Sequence, residues 1–247
     1  MKSAKELCSL LEKDDLLSFW NRVLDPEGVG LTNAIAADIA SWTHEPVPAV
    51  LQKMETGLQD FSSHWSTAGV DRLDSGRIED FYRDQFIEAY DLANWHGGRT
   101  TGSPPLSYAW AAQFIHQNNL NRVLDFGSGI GSGVLLITVI GCEVHAADVA
   151  NRLLAFLEHR CSRRGYYPVL LDLAKTRPTR EFYDVIVCFD VLEHVRDPLA
   201  KMKELASYLR PGGYLLANFY EDSAGIPIIQ CMSRPRRTGQ LWRARRT

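Results

Sequence analysis

The segment Asp125-Phe126-Gly127-Ser128-Gly129-Ile130-Gly131 puts a carboxylate two residues ahead of a GxGxG turn. Glycines that close an apolar run let the backbone turn tightly and let a ligand approach the main chain. A dinucleotide fingerprint reads GxGxxG and cradles a pyrophosphate. The spacing here differs, and Asp125 would repel a phosphate and suit a cation. Three further acids each end a short apolar run: Asp148, Asp172 with Leu173 beside it, and Asp190. Asp148 stands 17 residues after Gly131, where an acid can accept both hydroxyls of a ribose. Asp172 can accept an adenine amino group. Past Asp190, the run Asp190-Val191-Leu192-Glu193-His194 offers His194 as a general base for an acceptor that still carries a proton. Any one acid can be a helix cap. Four acids in register with glycines argue for one site.

The elements that position these residues follow from the hydrophobic pattern. Residues 121–126, 143–147, 168–171, 183–189 and 214–218 read as strands. Residues 130–140 and 152–164 read as helices, and a third helix opens at Asp197-Pro198 and ends at Pro211-Gly212-Gly213. Such alternation predicts a parallel sheet with helices on both faces. Open sheets of this kind bind ligands at the carboxyl ends of their strands. The first ninety or so residues instead carry apolar residues at helical spacing, in the stretches 7–24, 35–42, 50–61 and 78–95. The Gly- and Pro-rich segment 96–105 is the clearest break in the chain.

The core segments together resemble the class I S-adenosylmethionine-dependent methyltransferases. The resemblance rests on Val123-Leu124-Asp125-Phe126-Gly127-Ser128-Gly129-Ile130-Gly131, on Val144-His145-Ala146-Ala147-Asp148 and on Leu171-Asp172-Leu173. It continues through Tyr183-Asp184-Val185-Ile186-Val187-Cys188-Phe189-Asp190-Val191-Leu192-Glu193-His194-Val195 and Leu209-Arg210-Pro211-Gly212-Gly213-Tyr214-Leu215-Leu216, and spans about residues 88–220. It implies a Rossmann-like α/β fold, a doubly wound and mostly parallel sheet, and S-adenosylmethionine held across the strand ends. By that resemblance Asp125 and Gly127, Ser128, Gly129 and Gly131 border the methionine moiety. Asp148 holds the ribose, Asp172 and Leu173 the adenine, and Asp190 closes the site. Residues ahead of the glycine turn close over the ligand in such proteins. Tyr90, Trp95, His96, Arg99 and Tyr108 gather there, with aromatic faces for a sulfonium and Arg99 for a carboxylate. Asp190, Glu193 and His194, spaced i, i+3 and i+4, also resemble the Glu-x-x-Glu-His motif of metal-assisted O-methyltransferases. Asp replaces the first Glu and no further His ligand is evident, so no metal is assigned.

Composition limits the remaining readings. With 247 residues, 45% apolar and 23% charged, the chain is an ordinary globular protein of one or two domains. The longest nearly apolar stretch, residues 134–140 with Thr138 inside it, is far short of the ~20 residues a membrane span needs. Charges near residue 1 leave no apolar leader segment. Cys8, Cys142, Cys161, Cys188 and Cys231 form no CxxC pair, which fits reduced thiols in the cytoplasm. Six arginines and no acid fall in residues 231–247, leaving the body with 21 basic against 30 acidic residues. An acidic body disfavours nucleic acid as a partner, although the arginine tail keeps RNA or protein methylation as an alternative. A catalytically idle module that binds the donor is another, and an NAD-type dehydrogenase is disfavoured by Asp125. The expectation is a helical cap over residues 1–88 and a donor-binding domain over 89–247, with 231–247 an irregular basic tail. That domain transfers a methyl group to a small-molecule acceptor, with His194 as the catalytic candidate. Only 27 residues follow Tyr220, so the C-terminal part of the sheet is expected to be incomplete, as in a truncated or frame-shifted chain. An open fifth-strand edge would then favour a homodimer.

Overall fold

The computed structural model describes residues 3–70, 74–83, 85–100, 102, 104–220, 227–233 and 243–246. Five parallel strands carry the fold: β1 (Arg122–Phe126), β2 (Glu143–Asp148), β3 (Val169–Asp172), β4 (Tyr183–Cys188) and β5 (Leu209–Tyr220). Two antiparallel strands, β6 (Pro227–Ser233) and β7 (Arg243–Arg246), extend the sheet to the order β3-β2-β1-β4-β5-β6-β7. The order reverses between β1 and β4, which opens a crevice at their carboxyl ends. Val123, Leu124, Val185, Ile186 and Val187 are fully buried, because helices cover both faces of the sheet.

Among the described residues, seven helices precede the sheet: α1 (Ala4–Glu12), α2 (Leu16–Leu24), α3 (Leu31–Thr43), α4 (Val47–Ala68), α5 (Ser75–Arg83), α6 (Glu88–His96) and α7 (Ser107–Gln117). α8 (Ser132–Thr138), α9 (Asn151–Ser162) and α10 (Pro198–Tyr208) cross between strands. Local chemistry fixes several helix starts. Ser3 and Glu6 form a reciprocal capping box on α1, and Asp197 caps α10 through the Ala200 amide at 2.8 Å with Pro198 in its first turn. The apolar stretch 7–24 is two helices, because Asp14 takes a positive φ and Asp15 starts α2 afresh by capping Ser18.

The hydrophobic clusters cross residue 88. Leu11, Phe19, Trp20 and Leu24 pack with Val134, Leu135 and Val187 in one cluster. Ile35, Ile39, Val50 and Met54 pack with Ile130, Leu153 and Phe156 in another. Beneath the second lies a buried ion pair, in which Arg160 donates to Asp38 at 2.8 Å and Arg164 donates to the same carboxylate at 2.9 Å. It ties α3 to α9. α4 and α6 cross closely at Gly57, where a Cβ would fall 2.6 Å from the Asp91 backbone nitrogen.

The C-terminal end departs from expectation. The β5 edge is not open: β6 pairs with it from Tyr214 to Tyr220, which removes the surface on which the homodimer was expected. Nor is 231–247 irregular throughout, since β6 takes residues up to Ser233 and Arg243–Arg246 pair with Gln230–Ser233. Backbone pairing needs no side-chain period. The sheet remains open at β7 and β3. β5 also starts earlier than the pattern suggested. Its pairing with β4 shifts register after Leu209 and resumes at Tyr214. The bulge passes so close that a Cβ on Gly213 would lie 2.9 Å from the Tyr183 carbonyl. No helix among the described residues is long and apolar enough to cross a membrane.

Candidate functional site

The carboxyl ends of β1, β2 and β4, with α5 and α6 above them, enclose a cavity of about 460 Å³, within the usual size of a small-molecule site. Its floor is the glycine turn. Gly127 and Ser128 donate to the Ala147 carbonyl at 2.8 and 3.2 Å, which pins the turn to the end of β2. Gly127 and Gly131 have φ of +76° and +78°, and a Cβ there would meet Val191 Cγ2 at 2.2 Å and Leu157 Cγ at 2.6 Å. Only glycine fits either position.

Asp148 joins the turn to the next strand. Its Oδ2 accepts the Gly129 amide at 2.8 Å and its Oδ1 the Ala150 amide at 2.9 Å. Burial raises its pKa, against the pull of those amides. Each oxygen keeps a lone pair beyond its amide. Asp190 has a φ of +57° and is held by Asn218 through two reciprocal hydrogen bonds of 2.7 Å. His194 ends a single 3₁₀ turn, Leu192–His194, and stands edge-on to Tyr82 at 6.3 Å between ring centroids.

Of the residues singled out in the sequence, Gly127, Ser128, Gly129, Asp148, Leu173, Asp190 and His194 line this cavity, whereas Asp125, Gly131 and Asp172 do not. Asp125 is buried in a deeper layer, 2.8 Å from where a Gly133 Cβ would sit. Burial, then the Asp148 charge, pushes its pKa up to about 7. Asp172 is committed locally, accepting the Ala174 amide at 3.0 Å and pairing with Lys175 at 2.7 Å. Gly131 starts α8 and serves the close packing against Leu157. Around the Gly- and Pro-rich break, Trp95, His96 and Tyr108 line the cavity. Arg99 pairs instead with Glu55 at 2.8 Å, and the Tyr90 hydroxyl bonds Glu45.

α6 supplies wall residues that sequence reasoning did not place there. Glu88 and Leu92 line the cavity one turn apart, ahead of Trp95 and His96. Burial, then the charges of Asp148 and Asp91, pushes the Glu88 pKa to about 8. An acid at the start of a helix carries no signal by itself. Asn218 was also missed, although a polar side chain inside an apolar strand was visible in the sequence. No cluster of three or more His, Cys, Asp or Glu arranged for a metal is found among the described residues.

Residues 106–246 match the family profile described as "Methyltransferase domain", more than half of the chain. The chain belongs to this methyltransferase family. Its class is that of the S-adenosylmethionine-dependent, class I members. The chain is 31% identical over 116 residues to the ubiquinone biosynthesis O-methyltransferase of Bordetella pertussis, covering 45% of this chain and 47% of that protein. It is 27% identical over 175 residues to phosphoethanolamine N-methyltransferase 1 of Zea mays, covering 66% of this chain and 34% of that protein. The chain thus spans about half the length of the first relative and about a third of the second. A solved S-adenosylmethionine-dependent methyltransferase from Clostridium acetobutylicum superposes with a TM-score of 0.40 at 18% identity, over 56% of this chain and 69% of that one. The family match begins after α6, so the helices α5 and α6 that roof the cavity lie outside it.

Proposed function

We propose that this chain binds S-adenosylmethionine in the cavity and passes its methyl group to a small-molecule acceptor. The observation that carries the reading is the Asp148 carboxylate. It is fastened at 2.8 Å to the Gly129 amide and at 2.9 Å to the Ala150 amide, on the wall of the cavity. Its remaining lone pairs suit a vicinal diol. The glycine turn and α6 contribute no lysine or arginine to the wall, and the basic residues that line the cavity, Arg177, Arg196 and Lys201, come from other segments. Acidic Glu88 and Asp148, with the rings of Tyr108, Phe189 and Trp95, suit a cation.

When bound, S-adenosylmethionine supplies a methyl group made electrophilic by its sulfonium sulfur. The chain's own part is mostly positioning, which can lower a barrier by several kcal/mol. Asp148 would hold the ribose, and Val149, Leu153 and Leu173 offer apolar surface for the base. The turn at Asp190, clamped by Asn218, sets the height of His194. His194 would take the acceptor's proton where the acceptor is a hydroxyl, and stand by where it is an amine already free of one. The names of the relatives, an O-methyltransferase of ubiquinone biosynthesis and a phosphoethanolamine N-methyltransferase, support that acceptor class.

Titration calorimetry with S-adenosylmethionine and S-adenosylhomocysteine tests this reading. Asp148→Ala should weaken both by at least about tenfold, the worth of one hydrogen bond to a charged group. A folded chain that binds neither ligand overturns it. An acceptor screen then follows, with and without divalent metal.

A further inference from the structure

A second hollow backs onto the first. It is an open groove of about 480 Å³ whose wall includes Trp42, Glu45, Phe86, Tyr90 and Arg152. Its residues alternate with those of the cavity. Phe86 and Tyr90 wall the groove, whereas Glu88 and Leu92 wall the cavity. At the start of α9, Arg152 belongs to the groove and Leu153 to the cavity. The start of α6 and the first turn of α9 are thus a partition between the two hollows.

The groove is aromatic. Trp42 and Phe86 both pack on the fully buried Phe156, at 6.5 and 5.5 Å between ring centroids, and Phe86 meets Tyr90 at 5.7 Å. Its charges are unequal. Glu45 is committed, since it accepts from the Tyr90 hydroxyl at 3.2 Å and pairs with Lys53. Lys53 also covers the Tyr90 ring at 5.3 Å. Arg152 stands 5.8 Å from the centroid of the Phe86 ring and has no ion pair among the described residues. A cationic ligand would find these two rings already covered by cations and the one carboxylate already neutralised. The unmatched group is the Arg152 guanidinium. It can only donate, and its parallel N–H groups fit the two oxygens of a carboxylate. The half-buried Trp42 ring offers a flat surface in the same groove.

We propose that this groove is a second binding site, for a small planar aromatic carboxylate. The ring lies along Trp42 and Phe86, and the carboxylate meets Arg152. Its occupant braces the partition, so it tightens donor binding in the cavity, and the donor tightens it in turn by the same factor. That coupling, though not the site itself, rests on the donor reading above.

The probe is 2-naphthoate, with the uncharged 2-naphthamide beside it, titrated into the full chain by calorimetry. Naphthoate should bind at least about tenfold more tightly than the amide, the worth of a charged hydrogen-bonded contact. This comparison needs no variant. Arg152→Gln should bring the two probes to within about threefold of each other, and Arg152→Lys, which keeps the charge without the paired N–H groups, should fall between. Saturating naphthoate should tighten S-adenosylhomocysteine by at least about fivefold. Naphthoate that does not bind, that binds no better than the amide, or that ignores Arg152→Gln overturns the site. Naphthoate that competes with S-adenosylhomocysteine occupies the cavity and overturns it too. Sedimentation as a dimer that naphthoate takes apart assigns the groove to a second copy of the chain and overturns the small-ligand reading. An S-adenosylhomocysteine affinity that is the same with and without naphthoate overturns the coupling. If the unmodified chain binds naphthoate but not S-adenosylhomocysteine, the donor reading fails and takes the coupling with it, while the naphthoate titration upholds the site.

Discussion

Gly57→Ala sets two effects of opposite sign against each other. Gly57 lies inside α4, where alanine is the better helix former by about 1 kcal/mol. On propensity alone the substitution stabilises the protein. The packing says otherwise. The added methyl would sit 2.6 Å from the Asp91 nitrogen and 3.0 Å from the Asp91 Cα and the Tyr90 carbonyl carbon, all of them α6 backbone. Ordinary contact is about 3.5 Å, so α6 must retreat by about 0.9 Å. Backbone cannot rotate aside as a long side chain can, and overpacking of this kind costs about 1–3 kcal/mol. The net expectation is destabilisation of up to about 2 kcal/mol. α6 also carries Leu92, whose Cδ1 lies 3.2 Å from where a Gly129 Cβ would be, so its retreat loosens the roof over the glycine turn. Displacements of this size at a site cost orders of magnitude in rate, and S-adenosylhomocysteine affinity should fall by about tenfold. Urea unfolding gives the stability and calorimetry the affinity. A Gly57→Ala chain that is more stable by about 1 kcal/mol, with unchanged affinity, would refute both the close crossing and the role given to α6.

The buried pair between α3 and α9 gives another test: Asp38→Ala leaves Arg160 buried without its carboxylate and should cost about 3–5 kcal/mol, and adding Arg160→Met should recover part of that loss in the same urea titration. The pH dependence has two windows. Asp38 is held below the usual carboxylate range, since Arg160 and Arg164 outweigh its burial, so its stabilisation is present above pH ~4 and is lost as pH falls through its lowered pKa. Asp125 and Glu88, raised by burial to about 7 and about 8, work the other way. Their contribution is full below pH ~4 and is lost as pH rises through 7 and 8. The free chain should therefore be most stable in mild acid, and a melting temperature that climbs steadily from pH 5 to 8 would contradict this. A cationic ligand favours both ionised carboxyls, so S-adenosylmethionine should bind with proton release at pH 7, seen as a heat that varies with the buffer's ionisation enthalpy.

Much of the core was legible because its signals are local. The GxGxG turn, Asp148 and Asp190 each follow an apolar run that becomes a buried strand. A strand end, a turn and a helix start are all set within a few residues. Asp197-Pro198 announced α10 for the same reason. Asp172 shows the limit of such reading. Its position at the end of β3 was correct, but without a ligand its carboxylate pairs with Lys175, three residues on, and it stands outside the cavity lining. No spacing rule tells a carboxylate aimed at a ligand from one used by its own turn. The arginine tail misled in the opposite direction, because strand pairing on a sheet edge is a backbone interaction and leaves little trace in side-chain pattern.

The roof of the cavity was illegible for a deeper reason. α6 reads as nine ordinary residues with charges at Glu88 and Asp91 and aromatics at Tyr90 and Trp95. Which of its faces meets the ligand is decided by α4, through the missing side chain at Gly57, some thirty residues earlier. Where the His96 ring sits is decided in part by Ser132, thirty-six residues later, whose Oγ lies 2.8 Å from its Nδ1. Contacts of that separation cannot be inferred from periodicity, since each partner looks unremarkable in its own window. They also bear most directly on ligand choice. The glycine turn and Asp148 are what a nucleoside requires of any such sheet, whereas the α6 wall from Glu88 to His96 lies outside the matched family segment. It follows that exchanging residues within 88–96 should alter which donor analogues bind while leaving the nucleoside half in place. A substitution at Asp148 should instead weaken every adenosyl ligand alike.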